Sequence, residues 1–128
     1  MPRRGNPGFD ADVARFVVGD LRSVWTLEAL LHLRDAPQDV WSAARLTHSL
    51  RASLPMIEDI LRRLQALGLI VSQEHGVVYR PATPDLADLV ERTHLAYRLK
   101  PFAMISLIGR GPSVLQDLAD AFRLKKDD

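Results

Sequence analysis

The sequence predicts a mainly α-helical protein that carries one small antiparallel β-hairpin and has additional N- and C-terminal helices. Most of the chain consists of segments whose apolar residues recur at helical spacing. Serine, threonine or aspartate stands at the start of several of these segments, and glycine or proline follows their ends. Only residues 69–72 and 77–80 favour strands, and they flank a short turn. Together these observations predict a single domain over residues 10–124, with flexible tails at 1–9 and 125–128.

The N-terminal part predicts two helices with a break between them. Asp10 can cap a helix whose apolar positions follow the i, i+3, i+4 pattern. Gly19 weakens this helix, so a break near it and a restart at Ser23 are expected. A denser apolar stretch follows and should be central to the core, until Pro37 forces the preceding residue out of helical conformation. The apolar positions of the two segments are Val13, Phe16, Val17, Leu21, Val24, Trp25, Leu27, Leu30, Leu31 and Leu33.

Residues 42–80 contain two short helices and the hairpin in close succession. Ser42 is a good N-cap for the first helix, which a short extended segment precedes. Ser53 can cap the second helix, in which Pro55 falls early enough to be tolerated. The second helix should stop at Gly68, because glycine readily adopts the left-handed conformation. Its apolar stripe consists of Ile57, Ile60, Leu61, Leu64 and Leu67.

The C-terminal part predicts a helical extension over residues 85–124. Thr83 can cap its first helix, and Pro101 should kink or split that helix. A glycine-rich turn should then precede a last helix. The spacing of serine and glutamine at its start matches a capping box formed by Ser113 and Gln116.

Composition limits the classes of protein that the chain can represent. There are 17 lysines and arginines against 16 aspartates and glutamates, a net charge of +1, so only a local basic patch could favour nucleic acid. The absence of cysteine excludes disulfides, a thiolate nucleophile and cysteine-based zinc sites. No apolar run is long enough to span a bilayer, and the N-terminus does not resemble a secretory signal. A cytoplasmic location is therefore expected.

The sequence offers no constellation of catalytic residues. The four histidines lack metal-ligand spacing, and there is no nucleophile elbow. Residues 109–113 contain two glycines but lack the Gly-Lys-Ser/Thr ending of a phosphate loop. The carboxylates of Asp85, Asp88 and Glu91 lie near a helix start, where the helix dipole accounts for them. We therefore expect neither an enzyme nor a bound cofactor or metal.

The order helix, tight turn, helix and hairpin over residues 42–80 is the layout of a winged helix-turn-helix. This segment resembles the winged helix of bacterial transcription regulators, of which the MarR family is the nearest comparison. The resemblance implies a DNA-binding regulator in which the second helix of the motif is the recognition helix and the C-terminal helices form a homodimer. It rests on Leu46, Ser53, Ile57, Leu61, Leu64, Gly68 and Leu69.

A double-stranded DNA partner would be held by two groups of residues. Phosphates would be contacted by basic side chains on both helices and at the base of the wing, namely Arg45, His48, Arg51, Arg62, Arg63 and Arg80. Bases would face the start of the recognition helix, at Ser53, Met56, Glu58 and Asp59.

Two carboxylates at this position depart from the family, which usually places Ser, Thr, Gln or Arg there. Glu58 with Arg62, and Asp59 with Arg63, have the i, i+4 spacing of ion pairs on a helix surface. The alternative interpretation is therefore a winged-helix protein-interaction module that does not bind DNA.

The C-terminal helices predict a homodimer through an apolar surface. An exposed apolar patch larger than roughly a few hundred Å² would be unusual in a monomer. The alternative is that these side chains pack on Phe16, Val17 and Leu21 of the same chain. The predicted dimerisation residues are Leu86, Leu89, Val90, Tyr97, Phe102, Met104, Ile105 and Ile108.

Overall fold

A computed structural model describes residues 9–117 and 120, and it confirms a mainly helical fold with a two-stranded antiparallel hairpin. The elements in chain order are α1 (Ala11–Arg15), a π-helical segment (Phe16–Leu21), α2 (Val24–Arg34), α3 (Ala43–Leu50), α4 (Leu54–Ala66), β1 (Ile70–Gln73), β2 (Gly76–Tyr79), α5 (Pro84–Leu99) and α6 (Pro101–Arg110). Residues 113–117 are also helical. No described helix is both long and apolar enough to cross a membrane.

The chain divides into two compact units. Unit 1 contains the described residues up to Val24 and those from Leu89 onward, and unit 2 is Trp25–Asp88. The predicted tails lie outside the described residues, apart from Phe9, which is buried.

Unit 1 begins with the predicted cap and the predicted helix break. The Asp10 carboxylate accepts a hydrogen bond of 2.8 Å from the main-chain N–H of Val13. After α1 the chain continues as the π-helical segment, which ends at Arg22 in left-handed conformation (φ 72°). The N–H of Arg22 donates to the carbonyl of Val17, five residues earlier, at 2.9 Å. The break thus lies three residues beyond Gly19, and the π-helical form of the segment was not predicted.

The C-terminal part of unit 1 has the predicted division at Pro101. Lys100 is non-helical (φ −139°, ψ 66°) and separates α5 from α6. The predicted capping box is wrong, because Ser113 is the first residue of the helix and not the cap before it. Its hydroxyl donates to the carbonyl of Arg110 at 3.3 Å, and the Gln116 amide donates to Asp120 at 3.0 Å. The predicted end of this helix, at residue 124, lies outside the described residues.

Unit 2 contains the predicted caps of α3 and α5. The Ser42 hydroxyl accepts from the N–H of Arg45 at 3.0 Å at the start of α3, and the Thr83 hydroxyl accepts from the N–H of Leu86 at 3.1 Å at the start of α5. After α4, Gly68 is left-handed (φ 80°), as predicted. The core of this unit includes the apolar sides of α2 and α4, with Leu27, Leu30, Leu33, Ile57, Ile60 and Leu64 all buried.

The hairpin pairs Ile70 with Tyr79 and Gln73 with Gly76, so its turn consists of Glu74 and His75. Trp41 adds a bridge on the other side of β2: its N–H donates to the carbonyl of Val77 at 2.8 Å and its carbonyl accepts from the N–H of Val77 at 2.9 Å. The base of the hairpin is therefore joined to the segment that leads into α3.

Candidate nucleic-acid interface

The turn between α3 and α4 consists of Arg51, Ala52 and Ser53, and main-chain hydrogen bonds fix its path. Arg51 is left-handed (φ 55°, ψ 42°), and its N–H donates to the carbonyl of His48 at 3.3 Å. The N–H of Ala52 donates to the carbonyl of Thr47 at 3.1 Å. The Ser53 hydroxyl then accepts from the N–H of Met56 at 3.3 Å, so α4 begins immediately. This local geometry sets the direction in which α4 leaves the turn.

One side of α4 is packed in the core and the other is open. Ile57, Ile60 and Leu64 are buried, which places the residues between them on the outside of the helix. Met56 is half-buried. The exposed residues in the first three turns are Ser53, Leu54, Pro55, Glu58, Asp59 and Arg62.

The predicted ion pair between Glu58 and Arg62 is wrong, because Arg62 donates to the carboxylate of Asp59 instead. Residues three apart are neighbours on a helix surface just as residues four apart are, so both carboxylates compete for the same guanidinium. Within the part of the chain that the structure describes, the Glu58 side chain is exposed and has no ion-pair or hydrogen-bond partner. The outer face of α4 therefore presents one neutralised carboxylate and one available carboxylate.

Arg45 is held at the start of α3 by an aromatic ring and by oxygen atoms. Its guanidinium carbon lies 3.7 Å from the centre of the Trp41 ring, a cation–π contact. Its Nη1 donates to the carbonyl of Val40 at 3.2 Å, and its Nη2 lies 3.5 Å from the carboxylate of Asp39. The sequence prediction missed this role of Trp41. In the sequence only the position of Trp41 four residues before Arg45 could have indicated it, and the buried state of Trp41 (6% exposed) comes from contacts across the fold.

The other predicted phosphate-contacting residues lie over the α3–α4 turn, further along α4 and at the base of the hairpin, all in unit 2. His48 and Arg51 are exposed and line an open groove over the α3–α4 turn, together with Thr47 and Leu54. Arg62 and Arg63 line a second open groove further along α4.

The hairpin contributes positive charge only at its base. Arg80 follows β2 and is exposed, and its N–H donates to the carbonyl of Leu69 at 3.0 Å. At the tip, Glu74 lies 3.3 Å from His75, an ion pair only when the histidine is protonated. The tip therefore has no permanent positive charge.

The charge of unit 2 as a whole does not favour a polyanion. Between Trp25 and Asp88 the sequence has six arginines and no lysine, against three glutamates and five aspartates, a net charge of −2. Five of the six arginines belong to the predicted phosphate-contacting set. Attraction to DNA can thus come only from their local arrangement.

The predicted dimerisation set needs correction. Val90, Met104 and Ile108 are buried, and α6 lies against the π-helical segment in unit 1, as in the alternative that these side chains pack within one chain. Leu86, Leu89 and Tyr97 are half-buried. Of the predicted residues only Phe102 (84% exposed) and Ile105 (41%) have large exposed surfaces.

Two leucines of α5 that the prediction omitted are also exposed. Leu95 is 54% exposed and Leu99 is 70% exposed. Both lie on α5 with the i, i+4 spacing of one helix face, and this spacing could have identified them from the sequence.

No group of three or more potential metal ligands occurs among residues 9–117 and 120. No protein-family model, curated protein or solved structure matched the chain in our comparisons.

Proposed function

We propose that the chain is a DNA-binding transcriptional regulator in the cytoplasm, related to MarR-like proteins, and that α3, α4 and the hairpin act as a winged helix-turn-helix. The observation that carries the proposal is the fixed three-residue turn between α3 and α4, with the hairpin following α4, all within unit 2. A helix-turn-helix inserts its second helix into the major groove and uses the first against the backbone. No catalysis, metal or cofactor is part of this proposal.

In this arrangement the outer face of α4 meets the base edges, and the arginines around it meet the phosphates. Arg51 and His48 lie at the turn, where the DNA backbone would pass the start of α4. Arg45, held on Trp41, and Arg80, at the base of the hairpin, would contact the backbone on either side. Since the unit carries more negative than positive charge, these contacts must outweigh the repulsion from its carboxylates.

We further propose that the regulator is a homodimer in which α5 pairs with α5 of a second copy in antiparallel orientation. The exposed stripe on unit 1 has apolar side chains at Leu95 and Leu99, with Glu91 before them and Arg98 beside them. A two-fold axis next to Leu95 would bring Glu91 of one copy close to Arg98 of the other. The stripe is therefore complementary to itself in charge, as a symmetric interface requires.

The proposal can be tested by mapping DNA contacts on the protein with heteronuclear NMR. A mixed-sequence duplex should shift amide signals of α3, α4 and Arg80. Signals of α1, in unit 1, serve as the internal control and should remain in place at low duplex concentration. Absence of shifts, or shifts confined to α1 and α6, would contradict the proposed DNA-binding face.

A second candidate is a protein-interaction module, which the net charge of −2 on unit 2 favours. An acidic helix face with an exposed apolar residue, Leu54, at its start suits a basic peptide or protein partner. In that case DNA would leave the NMR spectrum unchanged, whereas a basic amphipathic peptide would shift the signals of α4.

A further inference from the structure

We propose that Glu58 selects cytosine, by accepting a hydrogen bond from the exocyclic N4 amino group of that base in the major groove. This inference rests on the proposed DNA-binding function, and it adds the base that α4 reads.

The position of Glu58 suits contact with a base edge. It lies in the second turn of α4, on the face opposite the buried Ile57 and Ile60. Residues near the N-terminal end of a recognition helix are those that reach base edges. Leu54, one turn earlier, is an exposed apolar side chain, so no charge precedes Glu58 on this face.

The local charge balance separates Glu58 from its neighbour. Asp59 is bound by Arg62, so its charge is largely compensated within the helix. The carboxylate of Glu58 is exposed and has no such partner among the described residues. Near phosphates, an uncompensated carboxylate opposes binding unless it accepts a hydrogen bond from the DNA.

The chemistry of the base edges then determines the preference. An ionised carboxylate is only an acceptor. In the major groove guanine presents two acceptors and thymine presents one, and each would repel it. Adenine offers a donor at N6, but its acceptor at N7 lies beside that donor. The N6 donor of adenine thus lies between two acceptors, its own N7 and O4 of the paired thymine, whereas the N4 donor of cytosine has an acceptor on one side only, O6 of the paired guanine. Cytosine is therefore the base that best satisfies Glu58.

The Glu58 carboxylate should therefore confer specificity more than affinity. It makes binding less favourable for every sequence that lacks cytosine at this position. The specificity therefore comes from unfavourable contacts with the other bases. Glutamine has a similar length, and its amide both accepts and donates, a pattern that matches adenine. The substitution E58Q should thus change the selected base from cytosine to adenine, and it should also strengthen binding to random DNA, because a negative charge is removed.

The experiment is selection of bound sequences from a random duplex library with the wild-type protein, E58Q and D12N. The D12N control makes the same chemical change, carboxylate to amide, at an exposed residue of α1 in unit 1, outside the proposed DNA-binding elements. We expect wild type and D12N to select the same sites, with cytosine at one position that becomes adenine with E58Q. On isolated duplexes, exchanging that C·G pair for A·T should weaken binding by the wild-type protein about 10- to 100-fold, which is the discrimination expected of one good base contact. The same exchange should strengthen binding by E58Q.

The outcomes separate this inference from the proposed function. If the wild-type protein binds the library but E58Q selects unchanged sites, the role of Glu58 is wrong and DNA binding stands. If D12N shifts the selected base as E58Q does, the effect is one of charge alone and the inference is again wrong. If the wild-type protein retains no duplex at low salt, both the inference and the proposed function fail.

Discussion

The main chains of Trp41 and Val77 exchange two hydrogen bonds, of 2.8 and 2.9 Å, and so join the base of the hairpin to the segment before α3. The same tryptophan ring carries the guanidinium of Arg45, 3.7 Å above its centre, and is in edge contact with His32 at 4.9 Å. One residue thus links the position of the hairpin to the position of a proposed phosphate contact. Changes that disturb this bridge should affect both.

The first prediction concerns Gly76, which is next to this bridge. A Cβ atom at this position would lie 2.2 Å from the carbonyl oxygen of Trp41, and the backbone has φ 155°. Gly76→Ala should therefore separate β2 from Trp41 and lower the free energy of unfolding by about 2–3 kcal/mol. Chemical denaturation measures this. Gly109→Ala is the matched control, since no atom lies within 4 Å of its added Cβ, and it should leave stability unchanged or raise it by up to about 1 kcal/mol.

The second prediction separates the structural role of Ser53 from a role in DNA contact. Its hydroxyl caps α4, so Ser53→Ala should lower the free energy of unfolding by about 1 kcal/mol. Ser49→Ala, at an exposed position inside α3, should change it by less than about 0.5 kcal/mol. Because the Ser53 hydroxyl is engaged in the cap, neither variant should alter the base preference in a selection experiment, contrary to the expectation from the sequence that Ser53 faces the bases. A changed preference with Ser53→Ala at normal stability would show that the hydroxyl contacts the DNA directly.

The third prediction concerns Arg62 and Arg63. Changing both to alanine should weaken binding to all sequences and reduce the slope of log affinity against log salt by about one unit for each lost phosphate contact. Loss of Arg62 also exposes the carboxylate of Asp59, so the loss of affinity should exceed that of a simple deletion of two charges. Fluorescence anisotropy with a labelled duplex provides the measurement.

Arg15→Ala is the control for this pair, because Arg15 is exposed and forms a comparable i, i+3 ion pair with Asp12 in unit 1. It should leave both affinity and salt slope unchanged. If the variant with both Arg62 and Arg63 changed to alanine bound DNA as tightly as the wild-type protein, this part of α4 would be excluded from the DNA-binding face.

The fourth prediction is a charge exchange across the proposed dimer interface. Glu91→Arg and Arg98→Glu should each weaken dimerisation, because each places like charges opposite one another. The double variant should restore part of the lost dimer affinity. The coupling energy is the difference between the effect of both substitutions together and the sum of their single effects. Sedimentation velocity at micromolar concentration measures the dissociation constant. A wild-type protein that sediments as a 14.3 kDa monomer would exclude the dimer, and a lack of coupling would exclude the antiparallel arrangement.

The fold was predictable where local signals determine the structure. Asp10, Ser42, Ser53 and Thr83 cap helices as predicted, because a cap depends only on the few residues that follow it. The capping box at Ser113 failed for the converse reason. The helix begins at Ser113 itself, so the serine is the first helical residue and not the cap that precedes it, and its hydroxyl donates to the carbonyl of Arg110 in the helix before.

The candidate site was less predictable, since its geometry depends on competition and on distant contacts. Helical spacing allowed Arg62 to pair with either Glu58 or Asp59, and only the structure shows that Asp59 is the partner. The association of Trp41 with Val77 joins residues far apart in the sequence, which no local pattern encodes. In the same way, the apolar spacing of α6 did not reveal that Met104 faces inward while Phe102 faces solvent.

The most direct test of the proposed function is the salt dependence with which the wild-type protein binds a random duplex. Fluorescence anisotropy between about 50 and 200 mM salt measures it. With two to five phosphate contacts from each copy, log affinity should fall linearly with log salt, with a slope of about −2 to −5 for one copy. Binding that is absent at the lowest salt concentration, or whose strength does not change with salt, would contradict DNA binding by α3, α4 and the hairpin.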